Sequence, residues 1–330
     1  MPQTFLDNAV LIKLLAHEAG FDLIGIARPQ VSPWADAYRQ WIAAGKHGDM
    51  HYLARTAEDR VDLLRKLPWA KSVICVALAY WPGSADETTP DDAGKIARYA
   101  RGRDYHTVME KKLRGLERAI REKIPGPITM RTWVDTGPIM EREYAQWAGL
   151  GWVGKSTLLI HPRHGTYFLL GELVTSLDLP EDSPITDHCG TCTRCIDACP
   201  TAAIEPYSVD GVKCLSYQTL ENRGDIPAEL RPGMQRGKTL VGCDICQEVC
   251  PFNREPLVAT EPDLLPQGLT ATGNVSLPVI QGWDEQAWDV ATRGKAHRRA
   301  KLFMWQRNAR ILAGGVNIQG PMRTSAPGPD

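Results

Sequence analysis

The sequence predicts an α+β protein made of a mixed α/β region, a cysteine-rich unit and a short helical C-terminal segment. Strand-like and helical apolar patterns alternate through residues 1–178. Eight of the nine cysteines lie between positions 189 and 250. Residues 256–330 are rich in Pro and Gly and contain one basic amphipathic stretch. These changes in composition predict a division into residues 1–178, 179–255 and 256–330, with a disordered tail at the end of the last part.

The overall composition is that of a soluble globular protein. The 330 residues are 43% apolar and 23% charged, with a formal net charge of −1. Because the net charge is near zero, a nucleic-acid partner would need a local basic patch. The N-terminal stretch carries Asp7, Lys13 and Glu18 and has no small-residue cleavage site, so we expect neither a signal peptide nor a membrane span. We therefore expect a cytoplasmic protein whose clustered cysteines bind metal.

The first predicted elements are a helix and two strands. The N-terminal helix ends at Gly20, and the apolar residues 21–27 predict a buried strand. Residues 72–81 are dense in Val and Ile and predict a second strand. Cys75 lies within that strand, where a buried structural thiol is the expected role.

The alternation continues to the first boundary. In order, the patterns predict a helix at 106–124, a strand leading from 124 to Asp135, a helix at 139–148, and an apolar pair at 157–162 and 166–179. Asp135 stands directly before the turn Thr136-Gly137-Pro138. A carboxylate at a strand end, beside a loop, is well placed for proton transfer. An N-cap or an Asx turn is the structural alternative, and the residues alone leave both open.

Residues 149–156, GLGWVGKS, match the spacing of a phosphate-binding loop. That motif needs a strand before the loop and a helix after it, so that helix N-terminal amides face the phosphate. Here a helical pattern comes first and a strand-like pattern follows. We therefore expect no nucleoside triphosphate site, and we expect the glycines to allow close approach of another large ligand.

The first cysteine run, CGTCTRCIDACP, has the spacing of bacterial ferredoxins that bind two [4Fe–4S] clusters. The second run, VGCDICQEVCP, lacks its first cysteine because Leu240 stands at that position. In such ferredoxins the fourth cysteine of each run crosses to the other cluster. The predicted ligands of one cluster are therefore Cys189, Cys192, Cys195 and Cys250.

Cys214, between the two runs, fills the gap in the second cluster. The predicted ligands of that cluster are Cys199, Cys214, Cys243 and Cys246. A zinc site is the alternative, but zinc ribbons use two separated cysteine pairs and do not need the third cysteine or the proline after the fourth. Two adjacent clusters deliver single electrons, so a receiving site is expected in the first region.

The segment from residue 293 to 310, RGKAHRRAKLFMWQRNAR, contains seven Lys or Arg and no acid. Such a patch, with His297, Phe303 and Trp305, suits phosphate contact and base stacking. The alternative is a basic helix that packs its apolar residues inward. The predicted nucleic-acid contacts are Arg293, Lys295, Arg298, Arg299 and Lys301.

Several ordered motifs resemble one known family. The stretch VDTGPIMEREYAQWAGLGWVGKSTLLIHP, both cysteine runs and KCLSYQT closely resemble epoxyqueuosine reductase, with similarity from about residue 10 to about residue 255. The resemblance implies a cobalamin cofactor, two [4Fe–4S] clusters, and a tRNA substrate that carries epoxyqueuosine at the wobble position. It also implies an external low-potential electron donor. Some members carry a C-terminal helical-repeat domain, which leaves tRNA contacts of that kind in doubt for this sequence.

The same resemblance assigns roles to single residues. It implies that Asp135 is the proton donor, which would require burial to raise the pKa of its carboxyl, since an exposed carboxyl is ionised at neutral pH. It further implies that the cobalamin-facing residues are Arg60, Tyr105, Asp135, Lys155 and Ser216.

Two other functions compete with this interpretation. A cobalamin and iron–sulfur reductase of a small organic molecule, similar to reductive dehalogenases, would share both cofactors. A ferredoxin-type electron carrier would need only the clusters, and it would not need some 180 residues before them. We expect a monomer that acts without a membrane.

Overall fold

The computed structural model describes residues 5–84 and 88–314, so the expected disordered tail lies outside the described residues. Its helices are α1 (Phe5–Glu18), α2 (Ala35–Ala43), α3 (His51–Arg55), α4 (Ala57–Val61), α5 (Leu63–Lys66), α6 (Tyr105–Lys123), α7 (Glu141–Trp147), α8 (Arg194–Asp197), α9 (Leu215–Leu220), α10 (Arg231–Arg236), α11 (Ile245–Glu248), α12 (Leu277–Gln281), α13 (Glu285–Thr292) and α14 (Leu302–Leu312). Its strands are β1 (Leu23–Ala27), β2 (Ser72–Ala79), β3 (Ala93–Ile96), β4 (Met130–Trp133), β5 (Trp152–Val153), β6 (Leu159–Ile160), β7 (Phe168–Thr175), β8 (Ile204–Glu205), β9 (Ser208–Val209), β10 (Thr239–Val241) and β11 (Asn274–Ser276). The predicted α+β class is confirmed.

The first region is organised by an antiparallel four-stranded sheet in the order β1-β2-β7-β4. Every residue of β2 is buried, because the sheet is covered on both faces. Side chains alternate between the faces of a strand. Ile74 and Val76 therefore join the core formed with α1 and α6, while Val73 and Cys75 join a second core formed with α7. Cys75 is buried, as its place in an apolar strand predicts.

A second sheet links distant parts of the chain. Strand β3 pairs in parallel with β10 and antiparallel with β11, so each predicted segment contributes one strand. The apolar core beside this sheet includes Trp288, Met304 and Trp305 from the C-terminal helices. The division at residues 178 and 255 stays a prediction, but these segments share one sheet and one core.

Two further contacts fix the cysteine-rich part against the first region. Arg98 binds Asp244, which lies between two cysteines of the second run, at 3.3 Å, and Glu248 at 2.9 Å. Both Arg98 and Asp244 are only 5% exposed in their side chains. None of the helices in the described part of the chain combines the length and apolar character needed to cross a membrane.

Candidate functional site

Asp135 lies in a strained loop between β4 and α7. Its backbone has a φ of 59°, the left-handed region that a residue with a β-carbon rarely adopts. The amide N–H of Asp135 donates to Glu141 Oε1 at 2.6 Å, and that of Thr136 donates to the Val134 carbonyl at 2.5 Å. The N-cap of α7 is Met140, so Asp135 does not serve as the cap that was the structural alternative. Strain of this kind is concentrated at functional sites.

The side chain of Asp135 ends a chain of hydrogen-bonded groups. Asp104 caps α6 by accepting from the His106 amide at 3.1 Å, and its Oδ1 also lies 2.8 Å from His106 Nδ1. His106 Nε2 lies 3.3 Å from Asp135 Oδ2. The ring of Tyr105 stacks on His106 with 4.1 Å between centroids, and its hydroxyl donates to Asp135. The imidazole is thus held between two carboxylates.

The electrostatics of this chain of groups differ from the expectation for Asp135. Desolvation raises the pKa of the Asp135 carboxyl, but the hydrogen bond and charge of His106, with the Tyr105 hydroxyl, outweigh it and leave the pKa below its ordinary value. Desolvation lowers the pKa of His106, but the contacts with Asp104 and Asp135 raise it to about 9. The expectation of a raised pKa for Asp135 was therefore wrong, because it considered burial of the carboxyl but not the neighbouring imidazole of His106. At neutral pH the proton lies on His106.

Two further carboxyls lie beneath the Asp135 loop, and the sequence analysis missed both. Burial raises the pKa of Glu141 to about 7, and it raises that of Glu172, in the centre of β7, well above the ordinary value. Glu172 is 0% exposed, and neither of its oxygens has a hydrogen-bond partner that meets normal geometry. The charge of Glu141 helps to raise the pKa of Glu172, so at least one proton stays with the pair. A lone Glu inside the apolar run FLLGELV was the signal that could have found Glu172.

The side chain of Asp135 is 59% exposed. We call the region that Asp135, Tyr52, Tyr99 and Glu221 border the cleft. The charge of Asp135 also acts on Tyr52 and Tyr99. Both tyrosines are influenced in turn by Glu221, the residue directly after α9. The end of α9 and the Asp135 loop therefore face the same cleft.

The residues expected to face cobalamin do not all point to this cleft. Tyr105 and Asp135 line it, and Ser216, in the first turn of α9, is half-buried. The buried guanidinium of Arg60 donates to Thr56 and to the Ile139 carbonyl, beneath the loop that carries Asp135. A corrin ring needs an accessible surface with polar groups at its edge. The exposed Asp135 carboxylate and the half-buried Tyr105 and Ser216 supply polar groups of that kind.

Lys155 has a different environment. Its ammonium group donates to the carbonyls of Gly190 at 2.7 Å and Cys192 at 3.1 Å, so it holds the loop of the first cysteine run. The preceding helix α7 and the β5–β6 hairpin give the order helix then strand. This order excludes a phosphate-binding loop, as expected.

The eight clustered cysteines influence one another's pKa mainly within two groups. Electrostatic influence on Cys250 comes from Cys189, Cys195 and Cys192. Influence on Cys243 comes from Cys214 and Cys199, and influence on Cys246 comes from Cys243, Cys214 and also Cys195. These influences agree with the two predicted ligand sets, which stay a prediction, and the link from Cys246 to Cys195 indicates that the sets are neighbours. In residues 5–84 and 88–314, no three His, Cys, Asp or Glu side chains converge as they would around a single metal ion.

Backbone amides point at several of these sulfurs. Cys214 accepts from the N–H groups of Ser216 and Tyr217, and Cys243 accepts from Ile245. Cys250 accepts from Phe252, and Cys199 accepts from Ala203 at 3.3 Å. N–H donors of this kind stabilise thiolates and tune iron–sulfur clusters. The donor set therefore fits two [4Fe–4S] clusters, and Cys214 lies directly before the helix that borders the cleft.

The predicted nucleic-acid patch is partly neutralised by acids from elsewhere in the chain. Arg293 and Arg298 both pair with Asp289, and Arg299 pairs with Glu221. Lys295 is half-buried over main-chain carbonyls, and Lys301 is exposed near the Trp288 ring.

Among the aromatic side chains of this segment, Phe303 is 46% exposed, while His297 and Trp305 are 0% exposed. The expectation that His297 and Trp305 stack on bases was wrong, because both belong to the core beside the second sheet.

Two family profiles match this chain. The family described as "Epoxyqueuosine reductase QueG, DUF1730" matches residues 60–136, which include Arg60, Tyr105 and Asp135. The family described as "4Fe-4S double cluster binding domain" matches residues 188–253. That match supports iron–sulfur clusters in the cysteine-rich part of the chain.

Similar proteins cover almost the whole chain. An epoxyqueuosine reductase of Synechococcus sp. is 40% identical over 93% of this chain and 94% of its own length. A crystal structure of epoxyqueuosine reductase with an epoxyqueuosine-modified tyrosine tRNA stem loop has a TM-score of 0.82 at 28% identity, covering 92% of this chain and 80% of that one. The enzyme from Bacillus subtilis, with its catalytic aspartate loop swung out of the active site, gives the same values.

Proposed function

The chain belongs to the epoxyqueuosine reductase family and is an oxidoreductase, and from this membership we propose that it reduces epoxyqueuosine to queuosine at the wobble position of tRNA. The observation that carries the proposal is the arrangement of side chains at Asp135. An acid–imidazole–acid chain ends there at Asp135, and a helix that begins directly after the cluster cysteine Cys214 borders it. A crystallised relative holds an epoxyqueuosine-modified tRNA stem loop, which supports the same substrate here.

The reaction defines what the site must supply. Conversion of an epoxide to an alkene consumes two electrons and two protons and releases the oxygen as water. The two cysteine sets are the proposed ligands of two [4Fe–4S] clusters, which would accept single electrons from an external low-potential donor and pass them toward the cleft. Cobalamin, when bound, would supply reducing chemistry at its metal.

The side chains of the cleft would hold and deliver the proton. His106 carries it at neutral pH, and the exposed Asp135 carboxylate contacts His106 Nε2. We assign Asp135 as the group that passes this proton to the departing epoxide oxygen, with His106 as its source. A carboxylate that exchanges a proton with an adjacent imidazolium needs no raised pKa of its own.

Other residues would bind and orient the cofactor and substrate. Tyr105 and Ser216 are the proposed cobalamin-facing groups, and Arg60 would support the surface from beneath. Lys155 is better assigned to the loop that carries Cys189 and Cys192 than to the corrin. The proposed tRNA contacts remain the basic patch of the C-terminal segment, where phosphate binding must compete with Asp289 and Glu221.

The reaction can be tested directly. The protein is reconstituted anaerobically with iron, sulfide and cobalamin, reduced with titanium(III) citrate, and incubated with tRNA from cells that accumulate epoxyqueuosine. Nucleosides are then measured by mass spectrometry. We expect cobalamin-dependent formation of queuosine. If both clusters and cobalamin are bound but no queuosine forms, the tRNA reaction is wrong and a small-molecule substrate is favoured. Failure to bind cobalamin would instead favour an electron carrier.

The role of Asp135 has its own test. Asp135→Asn keeps the size of the side chain and the left-handed backbone that Asn tolerates, but it removes the acid. We expect a loss of turnover of roughly 100-fold or more, the usual range for a general acid. Binding of the modified stem loop should not weaken. Full turnover by Asp135→Asn would exclude proton transfer through this carboxyl.

A further inference from the structure

The backbone of Asp135 is held in a conformation that the residue would not choose alone. Its φ of 59° lies in the left-handed region, and the neighbouring Thr136 amide closes a tight turn onto the Val134 carbonyl. Such conformations persist only where the surroundings hold them. The contact that holds this loop therefore determines whether the Asp135 carboxylate reaches the cleft.

Glu141 makes the holding contact. Its Oε1 accepts the Asp135 amide at 2.6 Å, and Glu141 is the first residue of α7. That helix packs against β1, β2 and β7 in the second core of the first region. The acceptor is thus fixed to the rigid sheet, while the donor belongs to a strained loop.

Glu172 lies in the sheet that α7 covers, near the Glu141 carboxyl. In the sheet Glu172 pairs with Cys75, whose side chain lies on the face that α7 covers. Glu172 is fully buried and lacks a hydrogen-bond partner of normal geometry, and the charge of Glu141 raises the pKa of its carboxyl. The other titratable and charged groups that face this pair are Asp135, Arg142, Arg60, Tyr105 and Cys75.

Two neighbouring carboxyls cannot both ionise at low cost, so the pair formed by Glu141 and Glu172 retains a proton. Glu141 Oε1 accepts the Asp135 amide at the same time. We propose that Glu141, supported by Glu172, is a positioning residue that latches the Asp135 loop into the cleft. This inference rests on the proposed function and deepens it.

The movement of the corresponding loop in a relative indicates why a holding contact is needed. In the Bacillus subtilis enzyme the catalytic aspartate loop has been found swung out of the active site. A loop that can leave the site needs a contact that favours its return. In this chain the Glu141 carboxyl supplies such a contact to the Asp135 main chain.

Hydrogen–deuterium exchange at single-residue resolution tests the contact without substrate. In the native protein the Asp135 amide should exchange more slowly than an unprotected amide. Glu141→Met keeps the volume but removes the acceptor, and should speed exchange at Asp135 by roughly 10- to 100-fold, the loss expected for a hydrogen bond to a charged group. Glu141→Gln retains an acceptor and should restore most of the protection. An unprotected Asp135 amide in the native protein would overturn the proposal even if Glu141→Met failed to fold.

A matched control lies on the same helix. Glu143 is 8% exposed and binds the Ser32 hydroxyl at 2.8 Å, away from the Asp135 loop. Glu143→Gln should leave exchange at Asp135 unchanged. Exchange at Asp135 that rises equally in Glu143→Gln and Glu141→Met would indicate general loosening of α7 and overturn the proposal.

Kinetic measurements distinguish a failure of the positioning role from a failure of the proposed reaction. With the modified stem loop, Glu141→Met should lower kcat with little change in KM, and Glu141→Gln should restore kcat. Loss of protection with unchanged kcat would overturn the positioning role. If no variant and no native protein forms queuosine, the proposed reaction has failed, while the exchange data still decide the Glu141 contact.

Discussion

The imidazole of His106 sets the expected pH dependence of the reaction. Its pKa of about 9 lies above the ordinary value of 6.5, so the proton is present through neutral pH and is lost as the pH rises through about 9. We predict that the rate constant for epoxyqueuosine reduction is flat near neutral pH. Above about pH 9 it should fall by about tenfold per pH unit, because only the protonated form can donate. Single-turnover rates measured from about pH 7 to about pH 10 would define this alkaline limb of the pH–rate profile.

Asp104 provides the matched variant for that limb. Asp104→Asn keeps a helix-capping side chain but removes the charge beside His106 Nδ1. The pKa of His106 should then fall by roughly 1 to 3 units, and the limb should move to lower pH by the same amount. A limb that does not move in Asp104→Asn would assign the titration to another group.

Single residues were predictable from the sequence only where local context carried the information. The position of Asp135 after a strand was such a case, and the match over residues 188–253 supports the cluster region that the ferredoxin spacing indicated. His106 lies 29 positions from Asp135, and Glu172 lies on another strand, so their effect on the site arises only when the chain folds. The pKa of Asp135 was predicted in the wrong direction for this reason.

At the scale of elements, α7 carries a buried carboxyl that should make stability depend on pH. Burial raises the pKa of Glu143 to about 7, and the Ser32 hydroxyl is its hydrogen-bond partner. Because the folded-state pKa is raised, the contribution of Glu143 is most favourable at low pH and is lost as the pH rises through about 7. Glu143→Gln removes this loss. The free energy of unfolding of the variant relative to the native protein should therefore be about 2 to 3 kcal/mol higher at pH 8 than at pH 4.5.

Denaturant unfolding at several pH values would measure this difference. Glu141 and Glu172 also have raised pKa values, so the variant must be compared with the native protein at each pH. A difference between Glu143→Gln and the native protein that is constant from low to high pH would contradict the prediction.

The loop before α9 carries the least regular of the predicted cluster ligands. Cys214 is separated from both cysteine runs, but it joins Cys199 and Cys243 in space. We predict that Cys214→Ala lowers the iron content after anaerobic reconstitution from about eight to about four atoms per chain, since each [4Fe–4S] cluster uses four cysteines. Cys75→Ala, in a buried strand, should retain about eight. Iron analysis with electron paramagnetic resonance checks both, and full iron content in Cys214→Ala would remove it from the ligand set.

The elements differ in how well the sequence predicted them. The helix α6 and the strands β2 and β7 have long apolar patterns and were found. The second sheet was not foreseen, because β3, β10 and β11 have three or four residues each and lie far apart in the chain. Short strands carry little periodicity, and their pairing depends on the packing of the helices around them.

For the whole molecule, the C-terminal helix is part of the framework that holds the cluster region. The guanidinium of Arg307 in α14 donates to main-chain carbonyls of Gln218 and Asn222, and Asn308 donates to those of Thr219 and Leu240. Both side chains are buried. The second half of the basic segment is helical, as predicted, but two of its polar residues serve packing rather than an external surface.

The remaining basic residues permit a test of the tRNA interface in both directions. Asp289 pairs with Arg293 and Arg298, so it opposes phosphate binding by these two residues. Asp289→Asn should therefore strengthen binding of the modified stem loop. Arg293→Glu combined with Lys301→Glu should weaken it and reduce the slope of log affinity against log salt by about 0.7 to 0.9 for each phosphate that is no longer neutralised.

Arg114→Glu, at an exposed ion pair on α6, is the control and should change neither the affinity nor the slope. Fluorescence anisotropy at several salt concentrations measures these changes. If affinity and slope are the same in the two patch variants as in the native protein, the tRNA binds another face of the molecule.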